Sequence, residues 1–221
     1  MPERVVREVI YPLPFDVNSF LDDFQRLSES ELQAIYSEHI DGYINSYHLT
    51  KSIAEVLIKQ ECFNVPVVIV RPSVVMSANT EPEPGWFQGL QLSTGLMAVW
   101  TSGLIRTIVA HEDFATPIIP VDLLGNFILA AIYQKFKSNT RNITIYNCTT
   151  NCENSPTMPM LAYYYGELAE MYPSCKMIRT PLRYIPKSRN KFTYKVKKIT
   201  HHTLFSYFAD CLLKLKGEKA M

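Results

Sequence analysis

Apolar positions along the chain form segments with the helical period and a continuous apolar run typical of a strand. The order of these segments predicts an α/β fold. Residues 16–40 have the helical period with breaks, and residues 46–60 have it more clearly. The run V-P-V-V-I-V-R-P, ended by Pro72, is apolar and rich in β-branched residues. Such a run is typical of a strand that is buried on both faces of a parallel sheet. A helix followed by this strand indicates helices layered on a parallel sheet.

The next part of the chain continues this alternation. A Pro- and Gly-rich loop is predicted for residues 77–95, and a helix is predicted for residues 96–110. I-I-P-V-D predicts a short strand, and the helix after it has Asp122 as its predicted N-cap. N-I-T-I-Y-N-C alternates like a further strand. Beyond about residue 155 the pattern becomes helical, which predicts a small helical region at the end.

Composition and charge narrow the classes of function. The chain has 221 residues, of which 47% are hydrophobic and 19% charged, so it can bury a substantial core. Its formal net charge of +1 gives no overall field that would attract nucleic acid. The five cysteines contain no C-x-x-C pair and cannot all pair within the chain, which favours a reducing, intracellular compartment. Their spacing does not fit a zinc site, and no run of about 20 apolar residues predicts a membrane-spanning helix.

The helix at residues 46–60 carries the strongest candidate for chemistry. Taking about 100° per residue, we find one side formed by Leu49, Ile53, Val56 and Leu57. Roughly opposite lie Tyr47, Lys51, Ala54 and Ile58. A lysine ammonium one turn from a tyrosine favours the ionised phenol, and such a phenol can exchange a proton with a carbonyl oxygen while hydride moves. The structural alternative is an interfacial tyrosine beside a lysine whose stem lies along the surface, and the spacing alone leaves both open.

The sequence around this helix resembles a known family. N-S-Y-H-L-T-K-S-I-A-E, V-P-V-V-I-V-R-P-S and E-P-E-P-G-W together resemble the alcohol-forming fatty acyl-CoA reductases, which belong to the extended short-chain dehydrogenase/reductase superfamily. E-V-I-Y-P-L-P, I-I-P-V-D-L-L-G-N-F-I-L-A-A and H-T-L-F-S-Y-F-A-D extend the resemblance over nearly the whole chain. It implies the C-terminal part of a Rossmann-like NAD(P)-binding domain at residues 1–152. A small, mainly helical C-terminal region is implied for residues 153–221.

The resemblance also implies an activity and a site. The implied reaction is the NADPH-dependent reduction of long-chain fatty acyl-CoA to a fatty alcohol. Tyr47 is the implied general acid, and Lys51 the implied residue that assists it and holds the nicotinamide ribose. The implied cofactor contacts are Lys51, Pro72 and Ser73, and the implied substrate contacts are Glu83, Pro84, Gly85 and Trp86. Composition alone predicts only a turn for E-P-E-P-G-W, because proline fixes φ and glycine allows positive φ.

One missing feature of the family widens the range of hypotheses. The glycine fingerprint of the family has no counterpart here, since the first glycine is Gly42. We therefore expect the phosphate-binding half of the domain to lie outside this chain. A non-catalytic remnant that binds acyl chains, a membrane or a partner reductase is the alternative function. The sequence does not indicate a particular oligomeric state.

The end of the chain carries a weaker indication of a partner. K-S-R-N-K-F-T-Y-K-V-K-K interleaves basic and aromatic residues. The simplest interpretation of this stretch is a solvated face. The functional alternatives are that it binds an anionic membrane surface, CoA phosphates or, last, nucleic acid. With the amphipathic segment 204–215, it favours peripheral membrane contact. We expect no nucleic-acid partner, and we expect a membrane-associated location inside the cell, at the peroxisome or endoplasmic reticulum.

Overall fold

The computed structural model describes residues 6–40, 43–90, 92–105, 115–150 and 155–183, together with positions 196, 199–203 and 207. Its helices and strands are α1 (Val17–Arg26), α2 (Glu29–His39), α3 (Ser46–Glu61), β1 (Val68–Pro72), β2 (Val74–Met76), α4 (Leu92–Thr101), β3 (Ile118–Pro120), α5 (Val121–Ser138), β4 (Thr144–Cys148), α6 (Met158–Met171) and a short π-helical segment (Ile199–Thr203).

The strands form two parallel pairs. β1 pairs with β4 from Val68 opposite Thr144 to Pro72 opposite Cys148. β2 pairs with β3, beginning with Val74 opposite Ile118. Parallel neighbours need a crossover connection, usually a helix, and helices do separate these strands in the chain. The predicted α/β class is confirmed, as are the strands predicted at V-P-V-V-I-V-R-P and N-I-T-I-Y-N-C, but the residues of β1 are half-buried or exposed and not buried on both faces.

The chain divides into two compact units, and each unit is built from two separate segments. Unit 1 comprises residues 1–72 and 125–148, and unit 2 comprises residues 73–124 and 149–221. The division after residue 152 into a reductase domain and a helical C-terminal domain stays a prediction.

Helix α3 forms the core of unit 1. Leu49 and Ile53 are buried against Val17 of α1. Further apolar residues pack around these three: Leu13, Phe15, Phe20, Leu21, Ile40, Tyr43, Val56 and Leu57. The helix begins after Asn45, whose side chain accepts a hydrogen bond from the backbone N–H of His48 (3.1 Å). The predicted apolar side of this helix is therefore confirmed.

Unit 2 has its own small core. Trp100 of α4 packs against Ala162 of α6, and its indole N–H donates to the carbonyl oxygen of Leu182 (3.4 Å). The chain leaves α4 through Gly103, whose φ is +77°. A Cβ atom there would overlap the carbonyl group of Arg179, so both the backbone angle and the space require glycine.

Two local predictions are corrected by the structure. The helix predicted at residues 96–110 begins earlier, at Leu92, and ends at Thr101, with residues 106–110 outside the described part. Asp122 is not an N-cap, because β3 runs directly into α5 and Asp122 lies within its first turn. A carboxylate in the first turn still complements the helix dipole.

The predicted membrane contact concerns segments near the end of the chain and stays a prediction. Across the described ranges, every helix is too short or too polar to cross a membrane. The segments from which membrane contact is predicted, 187–198 and 204–215, lie almost entirely outside the described residues.

Candidate active site

A cavity of about 630 Å³ lies along α3 and the end of β1, within unit 1. Its volume falls in the range of small-molecule sites. The side of α3 predicted to carry chemistry supplies Tyr47, Lys51, Ala54 and Ile58. The remaining lining residues are Val6, Tyr11, His48, Ser52, Glu55, Ile69, Val70, Arg71 and Pro72. Of the predicted site residues, the cavity thus brings Tyr47, Lys51 and Pro72 together.

Tyr47 and Lys51 are in contact, as their one-turn spacing predicts. The Lys51 ammonium lies over the Tyr47 ring, 5.5 Å from its centroid, a geometry that gives a cation–π attraction. Tyr47 is 63% exposed. Within the described ranges no protein group hydrogen-bonds to its hydroxyl. Their catalytic roles stay predictions.

His48 is a cavity residue that the sequence reasoning missed. Its backbone N–H and its ring Nδ1 both lie within hydrogen-bonding distance of Oδ1 of Asn45, at 3.1 Å and 2.9 Å. A backbone N–H can only donate, so the atom of Asn45 that receives it is the oxygen, and Nδ1 must donate to the same oxygen. In the neutral ring, Nε2 therefore carries the lone pair. The ring packs edge-on against Tyr47, with centroids 5.8 Å apart.

An ion pair joins α3 to β1 at the wall of the cavity. Nε of Arg71 donates to Oε1 of Glu55 (2.7 Å), and Nη2 donates to Oε2 (2.6 Å). This hydrogen bonding raises the pKa of the Arg71 guanidinium, which therefore stays charged. Sequence reasoning did not single out either residue, although a lone arginine inside an apolar strand pattern is a signal for a buried partner.

The N-terminal segment lies across the ends of both strands of unit 1. Arg71 also donates to the carbonyl oxygens of Arg7 (3.0 Å) and Val9 (2.8 Å). Asn147, which faces Arg71 in the β1–β4 register, donates its backbone N–H to the Glu8 carboxylate (2.8 Å). Ligands of open α/β sheets bind outside the carboxyl ends of the strands. The segment therefore borders the position where a cofactor is expected.

Ser73 belongs to unit 2 and has an unusual hydroxyl. Its Oγ is buried, and no group in the described part of the chain hydrogen-bonds to it. Buried polar atoms nearly always have a partner, so an unmatched hydroxyl fits a residue that contacts a bound ligand. This agrees with the predicted cofactor contact, which stays a prediction.

The loop with the predicted substrate residues is a closed turn of unit 2. The backbone N–H of Ala78 donates to the carbonyl of Trp86 (2.9 Å), and that of Gly85 donates to the carbonyl of Ala78 (2.8 Å). Gly85 has a φ of +82°, as the turn prediction requires. Trp86 is exposed on this turn. The roles of Glu83, Pro84, Gly85 and Trp86 in substrate binding stay predictions.

Asp122 anchors the start of this loop. Its carboxylate accepts the backbone N–H groups of Asn79 (2.9 Å), Thr80 (2.9 Å) and Glu81 (3.2 Å), and the Thr80 hydroxyl (3.1 Å). The bonds from Asn79 and Thr80 hold the pKa of the Asp122 carboxyl well below its usual range. Because this pKa is lowered in the folded state, the contribution of the anchor to stability is full above the ordinary carboxyl value of about 3.9 and is lost as the pH falls through the folded-state pKa.

We therefore expect Asp122→Asn to loosen the loop without unfolding unit 2. The amide protons of Asn79, Thr80 and Glu81 should exchange with solvent several-fold faster at pH 6, measured by NMR. In the unchanged protein, their resonances should hold constant from pH 7 to about pH 5 and move only at more acidic pH. Asp22→Asn, at an exposed ion pair of α1, is the control. Equal exchange in the two variants would contradict the role of Asp122.

Comparison with known proteins places the chain in a family. The model of an NAD-binding family, described as male sterility protein, matches residues 3–128. The chain belongs to this family. Membership implies a nicotinamide dinucleotide cofactor. Within the described residues no cluster of three histidine, cysteine or acidic side chains could hold a metal ion.

The curated relatives of this family member are reductases. It is 30% identical to fatty acyl-CoA reductase 1 of Rattus norvegicus, over 97% of this chain and 41% of that protein. It is 31% identical to fatty acyl-CoA reductase 1 of Homo sapiens, over 92% of this chain and 37% of that protein. Fatty acyl-CoA reductase 2 of Homo sapiens is 27% identical, over 97% and 41%. The predicted family resemblance is confirmed, and the chain spans about two fifths of these relatives.

Proposed function

We propose that this chain forms the carbonyl-reducing part of an NADPH-dependent, alcohol-forming fatty acyl-CoA reductase. The observation that carries the proposal is the contact between Tyr47 and Lys51 on the wall of a ligand-sized cavity. It is supported by similarity to fatty acyl-CoA reductases 1 and 2 over more than nine tenths of the chain.

Each residue of the pair has a distinct role in this proposal. The Tyr47 phenol gives its proton to the carbonyl oxygen of the substrate, which would otherwise become an alkoxide. The Lys51 ammonium offsets the negative charge left on the phenolate. When bound, NADPH supplies the hydride. Lys51 and Pro72, which both line the cavity of unit 1, are the residues that would hold it, and Ser73 stays a predicted contact.

The substrate proposed is a long-chain fatty acyl-CoA. The first reduction breaks the thioester C–S bond and releases the CoA thiol, which leaves an aldehyde. The second reduction converts the aldehyde to the alcohol, so each alcohol consumes two NADPH and two protons. The exposed loop residues Glu83, Pro84, Gly85 and Trp86 would border the acyl group.

We propose the same membrane-associated location that the sequence predicts, at the peroxisome or endoplasmic reticulum. A long-chain alcohol is poorly soluble in water and enters a membrane readily, which supports release beside one. Localisation of the tagged protein by fluorescence microscopy tests this.

The reaction itself is tested with the protein at its full natural length, because the relatives are longer than this chain. We expect NADPH and palmitoyl-CoA to yield hexadecanol, detected by gas chromatography with mass spectrometry, with two NADPH oxidised for each alcohol. Reactions that lack NADPH, or contain acetyl-CoA instead, are the controls. Saturable NADPH and palmitoyl-CoA binding without any alcohol would contradict the proposal and favour a binding function.

A further inference from the structure

Lys51 has a second neighbour on α3 that should attract it. Glu55 lies one turn further along the helix, and opposite charges at this spacing ordinarily attract each other. Nevertheless, among the described residues no ion pair joins Lys51 to Glu55, and the Lys51 ammonium lies over the Tyr47 ring instead. The position of the ammonium therefore depends on what Glu55 does.

Arg71 occupies both oxygens of Glu55. The two bonds, 2.7 Å and 2.6 Å long, have the parallel two-point geometry that guanidinium and carboxylate groups favour. The side chains of Arg71 and Glu55 are only 20% and 19% exposed, so water screens this pair less than a surface pair. A single exposed ammonium such as that of Lys51 competes poorly with it.

The guanidinium has two further hydrogen-bond partners in the N-terminal segment. The carbonyl oxygens of Arg7 and Val9 accept two further hydrogen bonds from it, at 3.0 Å and 2.8 Å. Arg71 also stands on β1, directly opposite Asn147 of β4. Arg71 therefore cannot follow Glu55 if that carboxylate turns towards Lys51, and the turn would break both bonds between them.

We propose that Arg71 is a positioning residue: by holding Glu55 in a two-point ion pair, it keeps the ammonium of Lys51 on Tyr47. The importance of this arrangement for catalysis rests on the proposed function. The arrangement itself is a property of unit 1 that requires no substrate. Without Arg71, Glu55 becomes a free carboxylate one turn from Lys51 and draws the ammonium away from the phenol.

The direct test follows the Lys51 side chain by NMR, in protein labelled with ¹³C at the Cε of lysine. Atoms above an aromatic face resonate upfield, so Lys51 should show this shift, with Lys51→Arg to assign it and Tyr47→Leu to abolish it. In Arg71→Met the upfield shift should be lost. In Arg71→Met with Glu55→Gln it should return, because the competing charge is gone.

The double variant separates positioning from stability. It lacks the same ion pair as the single variant, so a purely structural role of Arg71 predicts loss of the Lys51 shift in both proteins. Arg183→Met is the matched control, since it breaks the ion pair with Glu170 in unit 2. If Arg71→Met does not fold, judged by circular dichroism, Arg71→Lys replaces it, because lysine cannot hold both oxygens of Glu55 in the same way.

Kinetics supply a second readout with the natural-length protein. We expect Arg71→Met to lower kcat roughly tenfold, well short of the 10²- to 10⁴-fold contribution of a general acid, with little change in KM. The double variant should recover most of kcat. An unchanged Lys51 shift in Arg71→Met, or no recovery in the double variant, would overturn the proposal. The expected shifts in a protein that reduces no acyl-CoA would support it, and would contradict only the proposed function.

Discussion

Tyr47→Phe is expected to lower kcat for acyl-CoA reduction by about 10²- to 10⁴-fold, the contribution typical of a positioned general acid. The change removes one hydroxyl from a side chain that is 63% exposed. The Lys51 contact is with the ring, which phenylalanine retains. The fold and NADPH binding should therefore persist, and KM should change little. Alcohol formation is the measurement, with NADPH binding followed separately by calorimetry.

Tyr133→Phe is the matched control for this experiment. Tyr133 is similarly exposed, on α5, and its hydroxyl has no part in the proposed reaction. Its variant should keep the rate of the unchanged protein. Equal rates of alcohol formation in Tyr47→Phe and Tyr133→Phe would show that Tyr47 is not the general acid, even though the chain belongs to the family.

Leu49→Ala is expected to lower the free energy of unfolding of unit 1 by roughly 2–5 kcal/mol, the range measured for large-to-small changes in cores. Leu49 is 2% exposed and packs with Val17 and Ile53. The cavity left in this core cannot fill without moving α1 or α3. Amide hydrogen exchange of α3 measures the loss, because it reports on unit 1 and not on the whole chain.

The control for the core is Leu129→Ala on α5. Leu129 is 67% exposed, so its truncation should change stability by no more than about 0.5 kcal/mol. Equal losses for the two leucines would show that α3 does not depend on its apolar side, contrary to the packing described above.

Helix α3 shows why part of the site is predictable from sequence. The helical period fixes which side chains share a side, and it separates Leu49 and Ile53 from Tyr47 and Lys51 without any knowledge of the fold. The structure places the first pair in the core and the second pair at the cavity. β1 and β4 are predictable for a similar reason, since β-branched apolar runs are short and bounded by prolines or polar residues.

Other parts of the site depend on partners that are distant in sequence. The pattern around Asp122 predicts a helix start, but it holds no information about the loop at residues 79–81 that the carboxylate binds. Arg71 stands out in its strand, yet its sequence context does not say which carboxylate it meets. β2 is a strand only because β3 lies beside it. Such features follow from tertiary contacts, which override local patterns.

The order in which the chain is made has a consequence for the β1–β4 sheet. Val68 on β1 must find Thr144 on β4, and the stretch 73–143 lies between the two strands in sequence. During synthesis, β1 leaves the ribosome long before its partner exists, and the entropy of closing that loop opposes pairing until the intervening segments are compact. Early pairing of β2 with β3, which both lie within that stretch, would shorten the effective loop. Substitutions in unit 2 would then slow the formation of a sheet to which they contribute no strand.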